Sequence, residues 1–101
     1  MKVLFAGIIA RYPFGGVTWY SLMYLLGLRA LGHEVFYLED TGECIYDPVK
    51  NTRAADPAYG TGYIHAALEP YGLGDRWAFV NYDGAYHGRS AGDVRRFCAD
   101  A

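Results

Sequence analysis

A chain of 101 residues, 52% apolar and 20% charged, has material for one modest hydrophobic core and is not disordered in composition. Its formal net charge of −2, with nine Lys and Arg residues scattered along it, leaves no basic footprint, so nucleic acid is not an expected partner. Cys44 and Cys98 stand far apart, without a C-x-x-C or a paired-His spacing. That argues against a metal site and points to free thiols in a reducing, cytoplasmic setting.

The first elements follow in chain order. Residues 3–10 form an apolar stretch after Lys2, but it is short for a signal peptide, Arg11 and Pro13 follow at once, and no small-residue cleavage site stands out. The segment 2–8, "KVLFAGI", is a nearly continuous apolar run, which predicts a strand covered on both faces, as in a parallel sheet. A loop over 9–16 carries Pro13 and the pair Gly15-Gly16. From 17 or 18 to 31 the pattern is helical, with Trp19, Leu22, Met23, Leu26 and Ala30 expected on the buried stripe and Gly32 as a left-handed cap. Gly27 and Arg29 interrupt this helix, and it is too short for a membrane span. Residues 34–39, "EVFYLE", make a second strand and complete a βαβ unit, expected to be right-handed.

Residues 40–62, rich in Gly and Pro, read as a long excursion from the end of strand two, or as one that hides a short helix. A second helix is expected over 63–71, with Ile64, Ala67 and Leu68 inward and the "GLG" of Gly72 to Gly74 as its stop. A third strand is expected over 76–82 and a third helix over 90–98, where Ser90 and Asp93 form a capping box. The fold expected is α/β: a βαβαβα order in three layers around a small parallel sheet, an incomplete doubly wound domain occupying residues 1–101. As three strands are half of such a sheet, the chain reads as a piece of a larger domain. Strand one is then an exposed apolar edge, and self-association through that edge or through an uncovered helix face is expected.

In open parallel sheets, ligands bind at the carboxyl ends of the strands. The loop after strand one lies there, and glycines without Cβ let backbone N–H groups and the positive end of the helix dipole reach a phosphate. Gly15, Gly16, Val17 and Thr18 are therefore the candidate phosphate-binding residues, unless the glycines merely serve a positive φ or a tight start to the helix. The dinucleotide fingerprint G-x-G-x-x-G is absent, and Glu39-Asp40 at the end of strand two matches only its ribose-binding carboxylate. In the loop expected over 82–90, at the same sheet edge, Asp83, His87 and Arg89 could bind sugar hydroxyls or assist proton transfer, with Tyr82 or Tyr86 stacking on a sugar. The alternative is a turn on Asp83-Gly84, even a hairpin. His33 and His65 read as structural.

The opening "MKVLFAG", a loop ending in "GGV", a helix and then "RALGHEV" together resemble the start of GT-B glycosyltransferases, especially the retaining, glycogen-synthase-like group. The resemblance is specific over residues 2–38, extends in element order to about residue 101, and does not cover the excursion. It implies an N-terminal, acceptor-side Rossmann-like domain of an enzyme that moves a sugar from a nucleotide-sugar donor to an acceptor, with no cofactor. Gly15 and Gly16 would face the donor in the cleft between two domains, and Arg11 and Tyr12, on ground where inverting members carry a catalytic His, join Asp83, His87 and Arg89 as acceptor-binding candidates. No catalytic residue is assigned, and the donor-binding domain is missing from these residues, so the chain alone is expected to be inactive. The alternative is a non-catalytic nucleotide- or phosphate-binding module of the same fold.

Overall fold

In the computed structural model, which describes residues 1–10, 15–40, 45–47, 52–54, 58–81 and 83–99, strand β1 (Lys2–Ala6) leads toward helix α1 (Gly15–Ala30) and strand β2 (Glu34–Glu39). After β2 come two three-residue strands, β3 (Ile45–Asp47) and β4 (Thr52–Ala54), then helix α2 (Ala58–Leu68) with a 3-10 turn over Glu69–Tyr71. Strands β5 (Trp77–Val80) and β6 (Tyr86–Gly88) and helix α3 (Ala91–Ala99) complete the order. The main sheet is open, four-stranded and mixed, in the order β1-β2-β5-β6. β1, β2 and β5 run parallel, while β6 returns antiparallel to β5. The chain is thus a small mixed α/β fold with three α-helices among the described residues.

The continuous apolar runs of β2 and β5 follow from cover on both faces. Val35, Tyr37, Trp77 and Phe79 pack with Leu22 and Leu25 of α1 and Ile64 and Leu68 of α2. Phe36 and Ala78, one residue out of phase on the same strands, pack with Val94 and Phe97 of α3. The Phe36 and Phe97 rings lie 5.3 Å apart between centroids. The alternation is that of the pleat, which sends successive side chains to opposite faces.

The helix ends are written locally. α1 closes on Gly32 at φ +92°, with the His33 N–H donating to the Leu28 carbonyl (3.2 Å) and the Gly32 N–H to that of Arg29 (3.0 Å), a Schellman arrangement. Gly72, at φ +76°, ends the 3-10 turn in the same manner, as the "GLG" stop leads one to expect. At the start of α3 the Asp93 N–H donates to Ser90 Oγ (3.2 Å) and the Ser90 N–H to Asp93 Oδ2 (3.3 Å), the capping box read from the sequence.

Several expectations are corrected. α1 does not bury Trp19 and Met23; its inward residues are Thr18, Ser21, Leu22 and Leu25, and Trp19 and Met23 are exposed. This helix is apolar around most of its circumference, so spacing could not choose the face. α2 begins at Ala58 rather than 63, taking its first turns from the excursion, which also holds the antiparallel β3–β4 pair. The sheet is not wholly parallel, because the segment after β5 folds back as β6.

Candidate functional site

The carboxyl ends of β1 and β2 are joined by a buried polar cluster. The Tyr37 hydroxyl donates to Glu39 Oε1 (2.6 Å) and accepts from the Ile9 N–H (2.8 Å), while Glu39 Oε1 also accepts from the Ala10 N–H (2.8 Å). Tyr37, Glu39, Ile9 and Ala10 are fully buried. Burial, and next the neighbouring Glu39 carboxylate, push the Tyr37 hydroxyl far above the usual tyrosine pKa, so it stays protonated and can donate. Gly7 completes the arrangement: a Cβ there would come within 2.6 Å of the Tyr37 ring. Of the acidic pair Glu39-Asp40, the single match to the dinucleotide fingerprint, Glu39 turns its carboxylate inward to hold the loop after β1, and only Asp40 is exposed. The i, i+2 spacing of Tyr37 and Glu39 already placed both on one face of the strand.

Arg11 and Tyr12 lie outside the described residues. Gly15 and Gly16 are the first residues of α1 and both are exposed. Neither has a positive φ, and among the described residues nothing stands within 4 Å of the Cβ either would carry. The first-turn N–H groups of a helix have no intrahelical acceptors, and no acidic side chain occupies this first turn. Gly16 and Val17 line one wall of an open, mainly apolar groove of about 460 Å3, with Phe5, Gly7 and Ile8 across it and Tyr20 along its length. Thr18 is placed differently: it is buried, its hydroxyl 2.7 Å from that of Tyr63 on α2, so its side chain ties α1 to α2.

The three polar residues expected after β5 are not brought together. Asp83 sits in a hairpin turn at the carboxyl end of β5, where its Oδ1 accepts from the Ala85 N–H (3.1 Å) and the Asn81 N–H donates to the Ala85 carbonyl (2.9 Å). Gly84 takes φ +85° in that turn, so the hairpin alternative holds. His87 lies opposite Phe79 in mid-strand, half-buried, with ring centroids 6.3 Å apart. Arg89 follows the end of β6, where its N–H donates to the Trp77 carbonyl (3.0 Å) and its guanidinium pairs with Asp93 (3.5 Å). Because β6 is antiparallel, it carries the chain from the carboxyl edge of the sheet back to the amino edge. Arg89 therefore lies at the opposite end from Gly15 and Gly16, in a cleft of about 280 Å3 lined also by Lys2, Arg76 and Arg96.

Among the described residues no helix is long and apolar enough to cross a membrane. Family models, curated proteins and solved structures give no match to this chain.

Proposed function

We propose that the chain is the acceptor-side, N-terminal Rossmann-like part of a GT-B glycosyltransferase, whose first α1 turn offers backbone N–H groups to the diphosphate of a nucleotide-sugar donor. One observation carries this reading: the glycine pair opens α1 where neither backbone conformation nor any described neighbour requires glycine. Glycine costs about 0.5–1 kcal/mol relative to alanine in a helix interior and a smaller amount in the first turn. A ligand that must come against the backbone supplies a reason for that cost. The positive end of the helix dipole would stabilise a leaving diphosphate, and Phe5, Ile8 and Tyr20 beside it suit the apolar face of a sugar.

In this reading β1, β2 and β5, with α1 and α2 on one face and α3 on the other, form half of a doubly wound, three-layer domain. Tyr37 and Glu39 act as positioning residues that fix Ile9 and Ala10, and so the start of the loop, without touching the donor. Sugar transfer would need the second domain to complete the cleft.

The test is a titration of the isotope-labelled chain with nucleoside diphosphates and their glucose esters, followed through backbone amide resonances. Shifts centred on Gly15, Gly16 and Val17 are expected. Gly16→Ala should keep or raise the melting temperature while weakening binding at least tenfold. Unmoved resonances at these positions, or unchanged affinity in Gly16→Ala, would sink the proposal. Equal affinity for nucleotide and nucleotide sugar would instead favour the non-catalytic binding module.

A further inference from the structure

We propose that the cleft at the amino edge of the sheet is a second ligand site, one that takes the dianionic phosphate group of a small molecule. The inference is independent of the sugar-transfer reading, because this edge is opposite the one that holds Gly15 and Gly16. Lys2, Arg76, Arg89 and Arg96 are scattered along the sequence, and the fold gathers them around one cleft of about 280 Å3. Lys2 opens β1, Arg76 precedes β5, Arg89 follows β6 and Arg96 lies on α3. The antiparallel return of β6 is what brings Arg89 and α3 to this edge.

Charge defines the ligand. The cleft sets four cationic side chains against two acidic ones, Asp75 and Asp93, an excess of two positive charges in a chain whose formal net charge is −2. Arg76 also walls a neighbouring cavity of about 210 Å3, to which Arg29 and Glu34 contribute, so across both cavities five cations face three acids and the excess is unchanged. The pairing present is partial. Asp93 alone serves two guanidinium groups, that of Arg89 at 3.5 Å and that of Arg96. Glu34 reaches the Lys2 ammonium only at 3.9 Å. Arg76 forms no ion pair among the described residues. A phosphate monoester carries about −1.5 to −2 charge at neutral pH, and its oxygens match the planar fork of a guanidinium. A single carboxylate would leave half of the excess unmet.

Size and support fit the same ligand. The cleft is at the small end of ligand sites, with room for phosphate or a small phosphate ester. The buried Phe36 and Phe97 rings line its inner side, and an apolar wall strengthens the attraction between charges set against it. The backbones of two of the arginines are tied to neighbouring segments. The Tyr37 N–H donates to the Arg76 carbonyl (2.8 Å), the Arg76 N–H to that of Leu73 (3.1 Å), and the Arg89 N–H to that of Trp77 (3.0 Å). Only the side chains are left to be ordered by the ligand.

Arginine Nε–H and backbone amide resonances of the isotope-labelled 101-residue chain test this, in titrations with inorganic phosphate, methyl phosphate and acetate at constant ionic strength. Both phosphates should give saturable shifts at Arg76, Arg89 and Arg96 with a Kd of about 1 mM or tighter, and acetate should bind at least tenfold more weakly. Arg76→Gln, at an exposed position, should weaken phosphate binding at least fivefold. Asp75→Asn removes an opposing charge and should tighten it at least twofold, with the circular dichroism of both variants unchanged. No saturation by about 20 mM phosphate, an equal response to acetate, or unaltered affinity in folded Arg76→Gln overturns the proposal. So do phosphate shifts confined to Gly15, Gly16 and Val17.

Discussion

The Tyr37 hydroxyl lies 2.6 Å from Glu39 Oε1 in full burial, and between them the two side chains receive the N–H groups of Ile9 and Ala10. The pair fastens the end of β1 to β2 at the edge from which the loop toward α1 departs. Tyr37→Phe leaves the Ile9 N–H without its acceptor and should cost about 1–3 kcal/mol. Glu39→Leu strands both the Ala10 N–H and the Tyr37 hydroxyl and should cost more. Glu39→Gln keeps an acceptor for both donors and should fall between the wild type and Glu39→Leu. Urea unfolding of the three variants checks the order; Glu39→Leu as stable as Glu39→Gln would refute the role given to the carboxylate.

The same pair gives an alkaline dependence whose sign is fixed. The Tyr37 pKa is raised in the folded state above its unfolded value of 10.0, so the unfolded chain loses this proton first as the pH climbs. The stabilising contribution is full below pH 10.0 and declines above it, by about 1.4 kcal/mol per pH unit for one proton. Comparing the pH dependence of stability in wild type and Tyr37→Phe isolates this proton from those of the other tyrosines. Equal slopes above pH 10.0 would contradict the assignment.

The hairpin that redirects Arg89 depends on Gly88. Its φ is +80°, and a Cβ there would approach the Trp77 carbonyl oxygen to 2.7 Å. Gly88→Ala should destabilise the fold by at least the ~1–2 kcal/mol of a left-handed non-glycine residue, with the close contact in addition. Amide exchange should show the loss first in β6, as faster exchange of the His87 and Arg89 N–H groups, which face β5. Unchanged protection there would mean that the β5–β6 pairing tolerates the methyl.

At α3, Ser90→Ala removes the oxygen that accepts from the Asp93 N–H and should cost about 1 kcal/mol. The Ser90 hydroxyl and N–H, then Arg96 and Arg89, hold the Asp93 carboxyl below its ordinary value of 3.8. A depressed carboxylate contributes stability above its unfolded pKa, and that contribution fades as the pH falls through its lower folded value. The acid limb of the wild-type stability profile should therefore flatten in Asp93→Asn. A profile in Asp93→Asn superposable on the wild type below pH 3.8 would argue against the cap as a source of acid sensitivity.

Where the chemistry is local, the chain announces its structure. The β1-α1-β2 unit follows from two apolar runs and the helical segment between them, and the Gly32 and Gly72 stops and the Ser90–Asp93 box involve groups a few residues apart. A backbone that must turn left-handed or satisfy its first N–H groups has few residue choices, and those choices can be read directly. The buried face of α1 was not legible: Trp19, Tyr20, Met23 and Leu25 are all apolar, and only the positions of β2 and α2 decide that Leu25 goes inside while the other three remain outside.

The same division holds for the candidate site. A glycine pair between strand one and the helix was legible in the sequence, which placed it in the loop before residue 17; the structure puts both glycines in the first turn of α1. The inward turn of Glu39, the engagement of Thr18 by Tyr63, and the removal of Arg89 to the far edge were decided by tertiary structure alone. The first two depend on partners 29 and 45 positions away and the third on the direction of a three-residue strand, and no local pattern encodes either.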